Sequence, residues 1–423
     1  DPRDRTMKTS RKTRLQAGFA LVITVSLLAL LVLAVFSLSV LVRTGSQTAT
    51  SSGQLLVARQ NALVGLGQAI GRLQKAAGAD DRVTAMAGVA GEAAGSDRRQ
   101  WCGVWTGTGT FVTWLTSGAA EVSSPGLSVS ESVELVAQSS AGSAAPDHEH
   151  VVAGKVPVSL TAANGRGVRL GAYAYWVGDE GVKLSAQVPM AELPANGLRL
   201  GPPSTPSTVF RLLNAYQHFD ATAAEKVISY EQSTLLRSGP SSQLTATTLK
   251  DSFHHVTLTH RIPHGAGGGA YWAGVVNINT ASAVVWRGIF ETYEAAPGAT
   301  PFGSSTKRTR TINALATGMV GHGPFATVDE FLGSALLASA VSGSTGIPLA
   351  GFQEVMRPML TVRSGTFRVR CFGEAASPLD ASVVEATAYA EAIVQRTGDP
   401  SGAAGGVKFV ITYFRWLNPA TDI

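Results

Sequence analysis

The stretch Gly18–Val42, GFALVITVSLLALLVLAVFSLSVLV, decides how the rest of the chain is organised. It carries neither charge nor proline over 25 residues, and its few polar side chains are hydroxyls that can bond to the preceding helical turn. As a helix it would extend about 37 Å, enough to cross a hydrocarbon core of about 30 Å with some tilt. A buried helix of a soluble domain rarely stays apolar on every face for this length. The stretch therefore predicts a membrane anchor.

Charge on either side of this stretch predicts its orientation. Residues 1–17 contain six basic and two acidic side chains, whereas the rest of the chain contains 28 basic and 27 acidic ones. Because positive charge stays on the cytoplasmic side, we expect a single-pass protein of the inner (cytoplasmic) membrane with a cytoplasmic N-terminus and a periplasmic domain. The basic excess thus belongs to the leader and does not indicate a nucleic-acid surface. An ordinary secretory signal would have a shorter apolar region of about 7–15 residues.

The helix is expected to continue beyond the membrane. From Gln54 to Lys75 apolar residues recur at three- and four-residue steps, which is typical of an amphipathic helix lying on a domain. The Ser/Thr/Gly run Thr44–Gly53 is a weak joint between the two parts. The predicted organisation is a basic cytoplasmic leader (1–17), a transmembrane helix (18–43), its amphipathic continuation (44–75), a β-rich region (76–188), a mostly helical insert (189–347) and a C-terminal antiparallel meander (348–423).

The predicted meander follows from three runs rich in β-branched and aromatic residues: Thr366–Phe372, Thr387–Arg396 and Val407–Trp416. In the insert, helical spacing predicts helices over Val209–Phe219, Ala221–Tyr230, Glu231–Arg237, Ser282–Tyr293 and Thr327–Ala340. The last opens with a capping box, Thr327 with Glu330. The fold class predicted is α+β: a long N-terminal helix packed on an antiparallel sheet, with a mostly helical insertion.

The junction Gln16–Val22, QAGFALV, followed by a long apolar helix, resembles the type IV pilin and type II secretion pseudopilin superfamily. The resemblance implies a pilin-like fold, cleavage by a prepilin peptidase after Gly18, and N-methylation of the new terminal residue Phe19. The family's glutamate at the fifth mature position would fall at Ile23, so this chain departs from the pattern. A glutamate there would be buried in lipid unless it paired with a neighbour's terminal amine, and a subunit at the tip has no such neighbour.

Two segments of the insert, Val276–Ser282 and Gly323–Leu332, look like the ends of the insert in K-type minor pseudopilins, which lack that glutamate as PilX-like minor pilins do. Further runs, among them Thr366–Ala375, are similar to the verrucomicrobial Verru_Chthon cassette protein A type. The same "NxNTAS … GPF" pattern resembles the helix-hairpin-helix fold of competence-type DNA receptors. The Gly-hydrophobic-Gly hairpin that contacts phosphate is missing. In its place, 292–311 reads as a Pro/Gly/Ser-rich loop with a basic cluster, Lys307, Arg308 and Arg310.

The function predicted from these features is a non-catalytic, membrane-anchored minor pilin-like subunit that assembles into or caps a type IV pilus or type II secretion-like filament. Its expected partners are other pilin-like or pseudopilin subunits, the prepilin peptidase and the inner membrane, and nucleic acid is not favoured. The alternative is a surface ligand- or DNA-binding module with a degenerate helix-hairpin-helix insert. An anchored enzyme is a third hypothesis, but the motifs of hydrolases, zinc proteases and nucleotide-binding loops are absent from the sequence.

No cofactor or metal is predicted. Asp147–His150 lies in a polar loop, and the spacing of His260 and His264 is ligand-like but interrupted by Pro263. His254 and His255 precede that pair. The two cysteines, Cys102 and Cys371, could form a disulfide in an oxidising compartment or remain separate buried thiols. The sequence leaves both alternatives open.

Overall fold

The computed structural model describes residues 10–79, 81–137, 150–161, 167–185, 253–257, 275–295, 299–343, 345–398 and 407–419. Its contacts divide the chain into two units, residues up to Leu56 and residues from Val57 onward. The predicted insert helices Val209–Phe219, Ala221–Tyr230 and Glu231–Arg237 lie outside the described residues.

Helix α1 runs from Ser10 to Ala77 without a break. It continues through the weak joint Thr44–Gly53, where Thr44, Thr48 and Thr50 donate side-chain hydrogen bonds to the carbonyls of residues four positions earlier. These bonds satisfy the hydroxyls inside the helix, so they do not interrupt it. The predicted single helix is confirmed and is longer at both ends.

The central sheet has five antiparallel strands in the order β14-β13-β12-β7-β6. Their bounds are β6 Val156–Thr161, β7 Gly167–Asp179, β12 Thr366–Ala376, β13 Val384–Gly398 and β14 Val407–Leu417. Strands β12, β13 and β14 form the predicted meander, each extending beyond the run that predicted it. Cys371 in the central strand pairs with Tyr175 on one side and Ala390 on the other.

A second antiparallel sheet, β1-β2-β3, adjoins the central one. Its strands are β1 Arg82–Met86, β2 Cys102–Thr106 and β3 Phe111–Trp114. The bridge between Thr116 and Trp176 joins its continuation to β7. Strand β1 lies within the predicted β-rich region 76–188, in a Gly/Ala-rich stretch that carries no strand signal of its own.

Smaller strands complete the β structure: β4 Ser132–Val136, β5 Val151–Gly154, β8 Leu184–Ser185, β9 Val256–Thr257, β10 Val276–Asn277 and β11 Leu360–Thr361. Strand β4 pairs with β5 antiparallel, whereas β8–β9 and β10–β11 are short parallel pairs. Strands β5 and β6 follow each other along the chain but belong to different sheets, because β5 pairs with β4 and β6 pairs with β7.

The described helices of the inserted region are α2 Ala283–Ala295, α3 Ser305–Met319, α4 Val328–Leu332, α5 Ala335–Ala338 and α6 Leu349–Met356. A π turn, Ser339–Gly343, follows α5, and a 3-10 turn, Arg357–Met359, follows α6. The single helix expected over Thr327–Ala340 is wrong: it breaks at Gly333, and Ser334 caps a new helix by accepting a hydrogen bond from the Leu337 N–H. The expected loop over 292–311 is wrong at both ends, because α2 continues to Ala295 and α3 begins at Ser305.

The domain from Val57 onward has two main hydrophobic cores, one on each face of the central sheet. On one face, Leu66, Ala69 and Leu73 of α1 pack with Val369 and Val394 of the sheet. On the other face, a larger core contains side chains of the second sheet and of the inserted helices. Members of this second core include Trp101, Trp114, Trp176, Trp286, Phe290, Phe331 and Phe352. The fold class, α+β with a long helix on an antiparallel sheet, is confirmed.

Candidate functional site: the apolar helix surface and the two faces of the sheet

The surface of α1 from Phe19 to Val42 is apolar and exposed throughout. Phe19 is 69% exposed and Ile23 is 48% exposed. Thr24 donates to the Leu21 carbonyl at 2.9 Å and Ser39 to the Val35 carbonyl at 2.9 Å, so these hydroxyls are turned back onto the helix. Such a surface needs lipid or other apolar helices around it. The helix is consistent with a single membrane anchor, and Gly18 lies within it.

The later part of α1 lies very close to the central sheet. A Cβ on Gly373 would stand 2.1 Å from the Ala58 carbonyl oxygen and 2.3 Å from the Ala62 nitrogen. Beside this point the Asn61 side-chain amide donates to the Glu374 carbonyl at 2.7 Å. Glycine at 373 and alanines on the helix therefore allow backbone to approach backbone.

Polar contacts hold the two flanks of this part of the helix. Arg72 donates to the Thr113 hydroxyl at 2.6 Å on one flank. On the other, the Gln74 amide oxygen accepts from the Phe409 N–H at 3.1 Å, and the Arg59 guanidinium lies 5.2 Å from the centre of the Trp416 ring. The part of the helix from Arg59 to Gln74 is thus held to strands from both ends of the chain.

Cys102 and Cys371 are free, buried thiols of the helix-side core. Leu115 bonds to the Cys102 carbonyl, Val177 bonds to the Leu115 carbonyl, and Tyr175 pairs with Cys371. The two cysteines are therefore three strand spacings apart, about 14 Å, whereas a disulfide requires Cα atoms within about 7 Å. Burial raises the pKa of both thiols, which lowers their reactivity.

The opposite face of the sheet carries a buried ionic network, which the sequence analysis missed. Glu391 lies 2.9 Å from Arg370, 2.8 Å from Arg368 and 3.1 Å from Arg415. Arg368 also lies 2.9 Å from Glu180. Arg368 and Arg370 alternate with Val369 and Cys371 in the sequence, which predicts opposite faces but not that the arginines are buried.

Glu180 is the second acidic member of this network. It accepts from Lys183 at 2.7 Å and from the Thr257 hydroxyl. The Phe253 ring covers the cations, with Lys183 at 4.6 Å and Arg370 at 4.5 Å from its centre. A signal for this network exists in the sequence, because Glu391 is the one carboxylate in the apolar run Ala388–Val394 of β13. In the structure it pairs directly with Arg370.

The carboxylates of the network are held ionised. Burial alone would raise the pKa of Glu180, but Arg368 and Lys183 outweigh it and lower that pKa to about 2. Burial would also raise the pKa of Glu391, but Arg368, Arg370 and Arg415 outweigh it and hold that pKa well below its ordinary value. A general acid or base works best with a pKa near the operating pH. These two carboxylates are suited to holding the sheet and the segment over it together.

The two motif segments of the insert meet through Asn279. Its side chain accepts from the Phe325 N–H at 2.8 Å and donates to the Phe325 carbonyl at 3.1 Å. Thr327 then caps α4 by accepting from the Glu330 N–H at 3.0 Å, and the Glu330 carboxylate accepts from the Ala326 N–H at 2.7 Å. The predicted cap at Thr327 is confirmed. The asparagine and the capping residues of the pattern have structural roles here.

The basic cluster lies on the first turns of α3. Arg308 is paired with Glu294 at 2.7 Å, whereas Lys307 and Arg310 are exposed. Arg310 borders an open groove of about 470 Å³ with an apolar floor that includes Leu315, Met319 and Leu336. One of the three basic residues, Arg308, is therefore engaged within the domain.

Of the histidines considered as metal ligands, His254 and His255 are described and buried. His255 Nδ1 lies 2.8 Å from the Ser282 hydroxyl, which also accepts from the Val285 N–H at the start of α2. His260, His264 and the 147–149 part of Asp147–His150 lie outside the described residues. Within the described ranges, no group of three or more His, Cys, Asp and Glu side chains is placed to hold a metal ion.

The arrangement of a long N-terminal helix lying on an antiparallel sheet is consistent with a pilin-like fold. No protein-family model matches the chain, and no curated protein matches it. Among solved structures it is similar to a chain in the crystal structure of the GspK-GspI-GspJ complex from the enterotoxigenic Escherichia coli Type 2 Secretion System. The identity is 14%, the match covers 62% of this chain and 84% of that chain, and the TM-score is 0.31.

Proposed function

We propose that the chain is a non-catalytic, membrane-anchored minor pilin or pseudopilin-like subunit. It joins or caps a type IV pilus or type II secretion-like filament, with other pilin-like subunits as partners and a prepilin peptidase as its processing enzyme. The N-terminus is cytoplasmic before processing, and the domain from Val57 onward is extracytoplasmic.

One observation carries the proposal: the same helix is apolar and exposed from Phe19 to Val42 and is fixed to the sheet from Ala58 to Leu73. The first part is suited to lipid before assembly and to the apolar helices of neighbouring subunits afterwards. The second part holds the helix against the domain, because Gly373 and Asn61 fix it to the central strand.

Ile23 supports a capping position within such a filament. Its apolar side chain offers no carboxylate to the terminal amine of a neighbouring subunit, and it is compatible with lipid. A subunit that occurs once, at the end of a filament, has no neighbour beyond it. It therefore needs no carboxylate at this position.

Glu180 and Glu391 are ionised and engaged with cations, so these two carboxylates have a structural role and not an acid–base one. The alternative of a DNA-binding surface has weaker support, since Arg308 is paired with Glu294. That alternative predicts DNA retention that depends on Lys307 and Arg310 and weakens with salt.

Processing at Gly18 is the direct test. The protein is extracted from membranes that contain a prepilin peptidase, and its N-terminus is determined by mass spectrometry. We expect N-methylated Phe19 as the first residue. An intact leader, or a cut beyond Val42, would overturn the proposal.

A matched pair of variants separates recognition of the junction from a general effect on the helix. Gly18→Leu should leave the leader attached, whereas Gly45→Leu should be processed normally. Gly45 is also helical, and a Cβ at this position would have no atom within 4 Å. If the processed protein co-purifies with no pilin-like subunit, the membrane anchor would stand. The assembly role would then be contradicted.

A further inference from the structure

The open groove of the inserted region lies between α3 and the π turn that follows α5. Small residues line both of its sides: Ala314 and Gly318 on α3, and Ser339 and Ala340 on the π turn. Its volume of about 470 Å³ lies within the range of about 300–1,000 Å³ that is typical of pockets for small ligands. The groove therefore has room for a few residues of a peptide.

The floor of the groove is aliphatic. Leu315 and Met319 of α3 belong to the larger core and are buried, whereas Leu336 of α5 is half-buried. Leu315 and Met319 are four residues apart and so lie on one face of α3. A methionine side chain adapts its shape to different neighbours. The floor is therefore suited to the aliphatic side chains of a bound segment.

The charge beside the groove has one sign. Arg310 is the charged residue among those that line it. Lys307 precedes Arg310 by three residues, so the two side chains are neighbours on the surface of α3, and both are exposed. Arg308 is paired with Glu294. Within the described part of the chain, neither Lys307 nor Arg310 forms an ion pair.

The acidic residues of the surrounding segment have other partners. Over residues 295–353 the sequence contains two, Asp329 and Glu330. Asp329 is paired with Arg357, and the Glu330 carboxylate accepts from the Ala326 N–H at 2.7 Å. The two exposed cations of α3 are therefore available to a carboxylate of a bound molecule.

We propose that this groove binds a short acidic and aliphatic segment of a partner protein. Aliphatic side chains of the segment lie over Leu315 and Met319, and a carboxylate beside them pairs with Arg310, with Lys307 next to it. Charge complementarity and the aliphatic floor together favour this occupant. The described residues that line the groove include no aromatic ring, so nucleic-acid bases have nothing to stack on. The inference does not depend on the membrane anchor and goes beyond the function proposed above.

One variant tests the apolar part of the groove. A Cβ on Gly318 would have no atom within 4 Å, so Gly318→Leu adds a side chain to the groove without a clash at its Cβ. Asn313→Leu is the matched control, because Asn313 is exposed on the same helix and does not line the groove. Ala314→Leu, also exposed on the α3 side, is a second blocking variant. It replaces Gly318→Leu if that variant lowers the melting temperature.

A second variant tests the charged end. Arg310→Glu reverses the charge beside the groove and leaves its floor unchanged. Arg363→Glu is the matched control, because Arg363 is also exposed and does not line the groove. All variants are first compared with the wild type by thermal denaturation, so that a loss of binding is not mistaken for a loss of folding.

The assay is fluorescence anisotropy with the full chain in phosphatidylcholine nanodiscs, since detergent molecules would compete for an apolar groove. The probe is a labelled peptide that repeats Asp-Leu-Leu. A second peptide has lysine in place of each aspartate, and a third has serine in place of each leucine. Empty nanodiscs give the background for each peptide.

We expect the Asp-Leu-Leu peptide to bind the wild type about fivefold more tightly than either of the other two. Gly318→Leu should weaken this binding about tenfold. Arg310→Glu should remove the preference for aspartate over lysine. The two control variants should bind as the wild type does, and added salt should weaken the binding without abolishing it.

Three results would overturn the inference. The first is no binding of the Asp-Leu-Leu peptide, or equal binding of all three peptides. The second is unchanged binding to a folded groove-blocking variant. The third is binding of a random-sequence DNA duplex that depends on Arg310 and not on Gly318, which would favour nucleic acid as the occupant. Processing at Gly18 is measured separately, so the proposed function and this inference can fail independently.

Discussion

The two faces of strand β12 are both buried, but by different means. Towards α1 the strand presents Phe367, Val369 and Cys371, which pack in an apolar core with small residues of the helix. Towards the opposite side it presents Arg368 and Arg370, which are buried in a network with two carboxylates.

The difference shows that side chains at the centre of this sheet are buried whether they are apolar or charged. The helix side depends on close approach, because the absence of a side chain at Gly373 lets the Ala58 and Ala62 backbone lie against the strand. The ionic side depends on each cation having a carboxylate, because an unpaired buried charge is costly. A volume change should therefore disturb one face, and a charge change the other.

Removal of the central carboxylate should have the largest effect. Glu391→Ala leaves Arg370 buried without its carboxylate, and we expect a loss of about 3–5 kcal/mol in the free energy of unfolding. The measurement is chemical denaturation of the detergent-solubilised protein, followed by tryptophan fluorescence. Glu131→Ala is the control, since Glu131 pairs with Arg169 at an exposed site and its loss should not be resolvable. A loss at Glu391 no larger than that of the control would show that the network contributes little.

Acid should weaken the ionic face selectively. The folded-state pKa of Glu180 is about 2, below its ordinary value of 4.5, so its contribution is present above about pH 5 and is lost as the pH falls towards 2. We expect the free energy of unfolding to drop by roughly 3 kcal/mol from this group over that window. Denaturation of the wild type and of Glu180→Gln at pH 7, 5 and 3 checks this. The variant should show a shallower pH dependence, and parallel curves would contradict the assignment.

On the helix face, the same substitution should have opposite signs at two glycines. Gly373→Ala places a Cβ against the Ala58 backbone, and we expect destabilisation by about 1–3 kcal/mol. Gly67→Ala, on the exposed side of α1 with no atom within 4 Å of its Cβ, should stabilise by about 0.5–1 kcal/mol. Thermal denaturation of the two variants checks the signs. Equal shifts would mean that the close helix–sheet contact does not constrain position 373.

Local patterns in the sequence were sufficient for the elements that bury one continuous face. Helical spacing in Gln54–Lys75 includes Ala62, Leu66, Ala69 and Leu73, and the structure buries these four. Three other apolar residues of the same pattern are exposed: Leu55, Leu56 and Leu63. The alternation of Phe367, Val369 and Cys371 predicts a strand with one apolar face. The ionic network was not predicted, because it depends on the register of β12 with β13 and on the segment 253–257 that covers it. Both are set by contacts between residues far apart in the chain.

Helix α3 was missed although its signal is present. Ile312, Leu315, Ala316 and Met319 recur at three- and four-residue steps, and all four are buried. The Pro/Gly/Ser-rich residues before Ser305 and the β-branched residues in its first turns favoured a loop. Packing against α2 overrides that weak local preference. The site residues Gly18, Phe19 and Ile23 came from a family resemblance, and their processing and assembly roles stay predictions.

The parallel pair β10–β11 has a consequence for how this chain can vary. Asn277 pairs with Thr361, and the Ile278 N–H donates to the Thr361 carbonyl at 2.9 Å, so the helical region between them leaves and returns at one point. Lengthening a segment whose ends are already held together costs little chain entropy. Insertions in the loops between Ile278 and Leu360 should therefore be tolerated, as long as the helix side chains that belong to the larger core are kept.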